Sequence, residues 1–423
     1  MNASSALIPA LLKRGDPEAA VHEATVALHE AFGLEVVDVR FTQDEYSLNS
    51  VSGRVVIADG TAYFFKFHQE NGEQENVAEY YRAQLLADAG LPVEVPLAAS
   101  STPGAQMALY EWHSDPRMAD LCAGLERAHG AEASLGQGLL GARRAMDARI
   151  GEVLLETLAP PVATSASAAI HQLFYHRLAD PDGHYPGARY LRYYQADPAF
   201  ADMAGKRWRV NGVEYRSSLA ELGERAAKLM APSALAELPV VTAHGDDHHG
   251  NVWVIAEGPA GSGLPGPALR LFDPAFAAND IPALLAPVKA TYHNALAHPF
   301  WLYHPGEAAE RFTVESTVTG DVVEIRHDAE ISPLRHEVLA SAAELIWGPL
   351  LRELAARSWL PADWRQIVRS ALFCCPMLVT NLVADHRPAG IRLLGLAQAV
   401  AAGSEPVAGG PDTISCFLEA VAP

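Results

Sequence analysis

The stretch His244-Gly245-Asp246-Asp247-His248-His249-Gly250-Asn251 places an aspartate five positions before an asparagine, just ahead of the strand-like NVWVIA. That pairing suits phosphoryl transfer. A carboxylate at Asp246 can orient an attacking hydroxyl and accept its proton. A neutral amide oxygen at Asn251 can hold Mg2+, a hard cation that prefers oxygen donors. The same chemistry asks for a second carboxylate from another strand. Asp273 ends ALRLF, and a hairpin would bring it back beside Asn251. In the first part of the chain Lys66 stands among Tyr63, Phe64, Phe65 and Phe67. Such neighbours predict burial, and a buried lysine needs a partner. Glu79 is the candidate partner, with Glu75 one turn earlier as its competitor.

The elements that must carry these residues can be read from periodicity. Residues 17–32 show apolar positions at helical spacing and end before Gly33. LEVVDVRF alternates, and RVVIADGTAYFFKFH reads as two strands around Asp59-Gly60, with Lys66 on the third strand of the set. NVAEYYRAQLLADAG reads as a helix closed by Gly90, and LPVEVPLAAS and AQMALYEWH as short strands. From about residue 115 onward the long segments read as helical, for example 167–179, 217–230 and 335–357. The exception is the pair NVWVIA and ALRLFD, joined by the loop GPAGSGLPGP. No internal repeat is visible.

HGD-x4-N followed by a strand and an aspartate resembles the aminoglycoside phosphotransferase and choline kinase family. The resemblance covers residues 40–285 in the order Lys66, Glu79, hinge-like LYEWH, HGD-x4-N, Asp273. It implies an α+β, bilobal protein-kinase-like fold. Residues 1–112 would form an N-terminal β-sheet lobe with one main helix and the hinge. Residues 113–423 would form a larger, mostly helical C-terminal lobe with the catalytic loop and acceptor site. The implied activity is a Mg2+-dependent kinase that moves the γ-phosphoryl of ATP or GTP to a hydroxyl of an aminoglycoside, sugar or amino alcohol. Residue by residue, the resemblance implies that Lys66 holds the nucleotide phosphates and pairs with Glu79. Asp246 would be the catalytic base, Asn251 and Asp273 would bind the metal, and main chain near Tyr110 and Trp112 would meet the adenine. His248 would stand where a protein kinase carries a lysine that contacts the γ-phosphate, with simple support of the loop by its hydrogen bonds as the alternative. The loop EYSLNSVSGR departs from the pattern, with Gly53 but no GxGxxG, which leaves Ser50 and Ser52 as candidates for backbone phosphate contacts.

Neighbouring polar residues are read as structural. His244 is expected to brace the loop, Asp247 and His249 to face solvent, and Asp280 to cap a following helix. Trp112 and Trp253 are core or pocket-wall aromatics by default. Segment 291–304, with His293, His298 and His304, could wall an acceptor pocket, the alternative being an ordinary amphipathic helix ending at Pro299. Two other functional classes compete. One is a histidine-based metallohydrolase built on DDHHGN, weakened by the lack of HExxH spacing. The other is a non-catalytic nucleotide-binding pseudokinase, weakened by intact charged positions.

Composition sets the outer bounds. The 423 residues carry 31 Lys+Arg against 51 Asp+Glu, a net charge of −20 that repels polyphosphate backbones and argues against nucleic acid as partner. Hydrophobic residues at 49% and charged ones at 19% are globular proportions. No uncharged run approaches the roughly 20 residues of a spanning helix. Of the four cysteines, Cys374 and Cys375 are adjacent and no CxxC occurs, so free thiols in a reducing compartment are expected. The expectation is thus a cytoplasmic monomer or homodimer acting on a small hydroxyl-bearing molecule, away from membranes.

Overall fold

The computed structural model describes residues 7–42, 50–68, 79–100, 107–128, 133–256, 267–407 and 412–423. Strands β1 (Val36–Phe41), β2 (Ser50–Ile57), β3 (Ala62–His68), β4 (Ala98–Ser100) and β5 (Met107–Glu111) form one antiparallel sheet in the order β1-β2-β3-β5-β4. The β2–β3 turn is the one foreseen: Asp59 accepts from the Thr61 N–H at 2.8 Å, and Gly60 takes φ +90°. Side chains alternate along a strand. Phe65 and Phe67 therefore enter the small core beneath the sheet, while Lys66 points to the opposite face. Gly53 is explained by this packing, because a Cβ there would lie 2.7 Å from the Phe65 ring and 2.5 Å from the Arg40 carbonyl.

The helix Pro17–Phe32 covers the sheet. Asp16 caps its first turn through Ala19 N–H, and Gly33 ends it at φ +67°. Its Ala20, Ala24, Ala27 and Leu28 recur at helical spacing and complete the small core with Val39, Val55 and Leu109. The helix Glu79–Asp88 behaves differently: its Leu86, with Leu91 just beyond, belongs to the large core of the C-terminal part.

That part is mostly helical around one core, with Ala133–Thr157, Trp364–Val379 and Ala389–Gly403 as its long members. It also holds more strand than the sequence suggested. β6 (Arg207–Val210) and β7 (Val213–Glu214) form a hairpin, and β8 (Val240–Ala243) leads into the HGD loop. β9 (Val252–Ile255) and β10 (Ala268–Leu271) make the expected antiparallel hairpin. β11 (Ala278–Pro282) pairs with β8, while β12 (Val314–Thr319) and β13 (Val322–His327) join β6 and β7 in a four-stranded sheet.

Three local expectations need correction. Segment 167–179 is not one helix: a 3-10 turn at Ala163–Ser167 ends where it begins, a second spans Ala169–Leu173, and a single α-turn follows at Tyr175–Leu178. Asp280 caps nothing, since it lies within β11. Segment 291–304 is not amphipathic: a π-helix at Tyr292–Leu296 and a short helix at Pro299–Tyr303 are buried almost throughout.

Candidate active site

The HGD loop takes its shape from side chains that answer its own backbone. Gly245 sits at φ +80°, and a Cβ there would come within 2.9 Å of Ile170 and 3.1 Å of the Phe276 carbonyl, so neither the conformation nor the space admits a side chain. His244 Nδ1 accepts from Asp246 N–H at 3.3 Å, and its Nε2–H donates to the Phe272 carbonyl at 2.9 Å. One imidazole thus ties this loop to the strand end that carries Asp273, the bracing role expected of it. His248 Nδ1 accepts from Gly250 N–H at 3.1 Å, and Asn294 Oδ1 accepts from His249 N–H at 2.6 Å. Asn251 Nδ2 donates to the Asp246 carbonyl at 2.9 Å. That bond leaves the Asn251 Oδ1 as the side-chain atom that could hold a metal, and Phe272 N–H donates to the Asn251 carbonyl at 3.0 Å, which sets β10 beside it.

Asp273 follows β10 at φ +56°, a left-handed conformation that few non-glycine residues occupy. Its carboxylate meets the Lys66 ammonium in an ion pair between residues 207 positions apart. Lys66 is buried opposite Ser52 on β2 and Ala108 on β5. Beyond Asp273, the Arg82 guanidinium of helix Glu79–Asp88 donates to the Ala275 carbonyl, a second tie between the two parts. Glu79 is the first described residue of that helix, but its side chain and that of Ser50 lie outside the described residues, as does Glu75.

Lys66, Ser52, Asn251 and Asp273 line one cleft of about 290 Å3. Phe64 and Tyr110 face it from the sheet, and Trp253 stacked on Phe272 at 4.2 Å faces it from the helical part. Two aromatic walls make a slot suited to a planar heteroaromatic ring. Trp112 stands at the mouth with the Arg54 guanidinium 5.3 Å over its ring. Deeper in, Trp253 Nε1–H donates to Glu94 at 3.0 Å, and His113 Nε2 lies 3.0 Å from the other Glu94 oxygen. Burial pushes the Glu94 carboxyl up, against the pull of Trp253 and His113. Neither Glu94 nor His113 was singled out from the sequence.

Asp246 is the charged centre of the loop. Burial alone would raise its carboxyl, but Lys289, His248, His244 and Arg177 outweigh it and hold the group below the ordinary carboxylate range. Lys289 Nζ lies 3.6 Å from Asp246 Oδ1, and His248 Nε2 lies 3.9 Å away. Lys289 was missed in the sequence, although a lone lysine in the apolar run IPALLAPVKAT carries the same signal as Lys66 among its phenylalanines.

Two neighbours were misjudged. Asp247 is buried, not at the surface, and burial pushes its carboxyl up although His244 and Arg143 oppose this. His249 is buried too, with its Nδ1 3.8 Å from Cys122 Sγ, and burial holds it well below the usual histidine value. Asp247 lies beside the helix Ala133–Thr157, whose buried Arg143 pairs with Asp147, and His249 lies against the helix Met118–Arg127, which carries Cys122. Among the described residues the histidine-rich loop brings no three His, Cys, Asp or Glu ligand atoms together; the one such group is Asp180, Asp182 and His184.

No family model matches this chain, and no curated protein matches it. Solved structures do align along most of it. A spectinomycin phosphotransferase in complex with ADP and spectinomycin aligns over 95% of this chain and 98% of its own, at 12% identity and a TM-score of 0.39. An aminoglycoside phosphotransferase from Streptomyces rimosus aligns over 84% and 97%, at 14% and 0.37. A microcompartment-associated aminopropanol kinase aligns over 90% and 95%, at 10% and 0.39. This chain itself has an N-terminal antiparallel sheet and a mostly helical remainder. At such identities and TM-scores the likeness adds nothing to what the side chains themselves argue.

Proposed function

We propose that this chain is a small-molecule kinase that transfers the γ-phosphoryl of ATP or GTP to a hydroxyl. One observation carries the reading. Lys66 from the sheet meets Asp273 across an aromatic-walled cleft, and Asn251 on the same cleft is hydrogen-bonded to Asp246. Residues 1–112 act as the nucleotide-binding lobe and hinge, and residues 113–423 supply the catalytic loop and acceptor site. Supporting this division, the smaller core draws, among the described residues, only on residues 8–109.

The base lies between Phe64 and Tyr110 on one side and Trp253 on the other, with hinge main chain near Tyr110 and Trp112 at its edge. Lys66 and backbone N–H groups near Ser50 and Ser52 hold the phosphates, with Glu79 as a second partner for the lysine. The donor set of Asn251 and Asp273 is all oxygen and two-membered, which fits Mg2+, an ion that fills its remaining positions with phosphate and water. When bound, the metal neutralises charge on the phosphates. Asp246 orients the acceptor hydroxyl and takes its proton as the oxygen attacks. His248 keeps the loop in shape through Gly250. The acceptor is an aminoglycoside, another sugar or an amino alcohol, and the active form is a monomer or homodimer. A cytoplasmic setting accords with four free cysteines, three of them buried; no helix among the described residues is long and apolar enough to cross a membrane.

The test is incubation of the purified protein with γ-labelled ATP, Mg2+ and a metabolite pool, followed by mass spectrometry for a gained phosphate. Asp246→Asn should abolish the product. A product that persists in that variant removes Asp246 from the mechanism.

A further inference from the structure

Lys289 is a buried cation placed against the candidate base, and the proposed chemistry so far gives it no task. Its side chain is 4% exposed. Removing an ammonium from water costs several kcal/mol by order of magnitude unless partners compensate. Its partners are few and fixed. Nζ lies 3.1 Å from His293 Nε2, and His293 Nδ1 lies 3.0 Å from the Tyr303 hydroxyl. With Nε2 accepting from the ammonium, Nδ1 carries the imidazole proton and donates to Tyr303, so His293 is set as an acceptor toward Lys289.

The frame around this pair is rigid and tied to the HGD loop. The Arg335 guanidinium donates to the carbonyls of His293, Asn294 and Ala297, the groups left open by the π-helix end. Trp347 Nε1–H donates to Thr291 Oγ1 at 2.8 Å, and Asn294 accepts from the loop at His249. The short helix bearing Lys289 thus holds a set distance from Asp246. On the aspartate itself, Oδ1 is buried with no hydrogen-bond partner among the described residues, flanked by Lys289 and His248. The 14% exposure of that side chain therefore leaves Oδ2 as the oxygen on the open side.

We propose, building on the phosphotransfer reading, that Lys289 is a positioning residue: its charge pins the inner oxygen of Asp246 and so aims the outer one at the acceptor hydroxyl. His293 and Tyr303 keep the ammonium in place. Nucleotide binding, which uses Lys66 and the aromatic slot, does not depend on this pair.

The experiment compares the full-length chain with Lys289→Met and Lys289→Gln. Binding of Mg·ATP is read from the fluorescence of Trp112 and Trp253, and turnover from release or transfer of the γ-phosphate. Glutamine can still hydrogen-bond His293 but carries no charge. Both variants should bind Mg·ATP within about threefold of wild type and lose about a hundredfold in kcat with KM for ATP unchanged, the scale expected for a misaimed catalytic group. Should the methionine variant fail to fold, the glutamine variant carries the test. A folded variant that keeps kcat within about threefold, or whose loss falls in KM, overturns the assignment, because a residue that only fills space would behave so. Failure confined to the Lys289 variants leaves the kinase reading intact. Wild-type protein that neither binds nor turns over Mg·ATP overturns both.

Discussion

Replacing Lys66 with methionine is the sharpest test of the cleft, because it removes one charge and little volume. In the folded chain the Lys66 side chain is 7% exposed and Asp273 is 32% exposed. The two residues therefore stand differently toward water. Asp273 can rehydrate when its partner goes, so the fold should lose no more than about 1 kcal/mol, the upper range for pairs with solvent access. The cost to chemistry is larger. A cation held in a partly dry cleft against the transferring phosphoryl resembles other preorganised donors, whose removal costs about 3–4 kcal/mol, or roughly 10²–10³ in kcat. The expected signature is a melting temperature near wild type, Mg·ATP binding weakened by about tenfold or less, and turnover down by two to three orders of magnitude. Cleft tryptophan fluorescence reports binding, and γ-phosphate transfer reports turnover. Turnover within about threefold of wild type would refute the placement of Lys66 on the phosphates and return weight to a hydrolase built on the histidines, which has no use for this lysine.

Further outcomes follow from the same geometry. Gly245→Ala should destabilise the chain by about 2–4 kcal/mol in denaturant unfolding, because it combines a left-handed φ with a contact shorter than side chains tolerate. Trp253→Ala removes both the stacking face and the donor to Glu94, and should weaken Mg·ATP binding by about 1–3 kcal/mol in a calorimetric titration. Burial holds His298 down at about 4, against an ordinary value of 6.5. The unfolded chain thus binds the extra proton first. The stability owed to neutral His298 is present above about pH 6.5 and lost as pH falls toward 4, on the order of 3 kcal/mol. His298→Asn, which can still cap Phe300 N–H but does not titrate, should flatten the fall in melting temperature over that window.

How much of this was legible depended on where the constraint lay. Asp246, Asn251 and Asp273 were readable because a short loop and one hairpin hold all three, and the spacing is itself the geometry. Lys66 was readable because strand alternation forces it away from the face that buries Phe65 and Phe67. Asp247 and His249 were misread because polarity suggested solvent, while their burial is set by two helices about a hundred residues earlier in the chain. The four-stranded sheet was half legible. Asn211 and Gly212 both take positive φ in the β6–β7 hairpin, and Asn-Gly is a strong hairpin signal. Its parallel partner β13 lies more than a hundred residues later, and no local pattern could join them.

The polar interior around the HGD loop also bears on function. Stability alone would favour apolar replacements for Lys289, His293, Asn294 and Arg335, since buried charge is at best near neutral in free energy. Here each serves a neighbour in one chain of contacts. Arg335, itself paired with Glu126 at 2.6 Å, fixes the π-helix end; Asn294 fixes His249 N–H; His293 fixes Lys289; and Lys289 faces Asp246. The loop's own N–H groups at Asp246, His249 and Gly250 are each taken by a side chain. A loop so bound has little left to reorganise, and that is the physical requirement for electrostatic catalysis of the transfer proposed above. The expense of the buried network is thus most simply accounted for by the one carboxylate on which it converges.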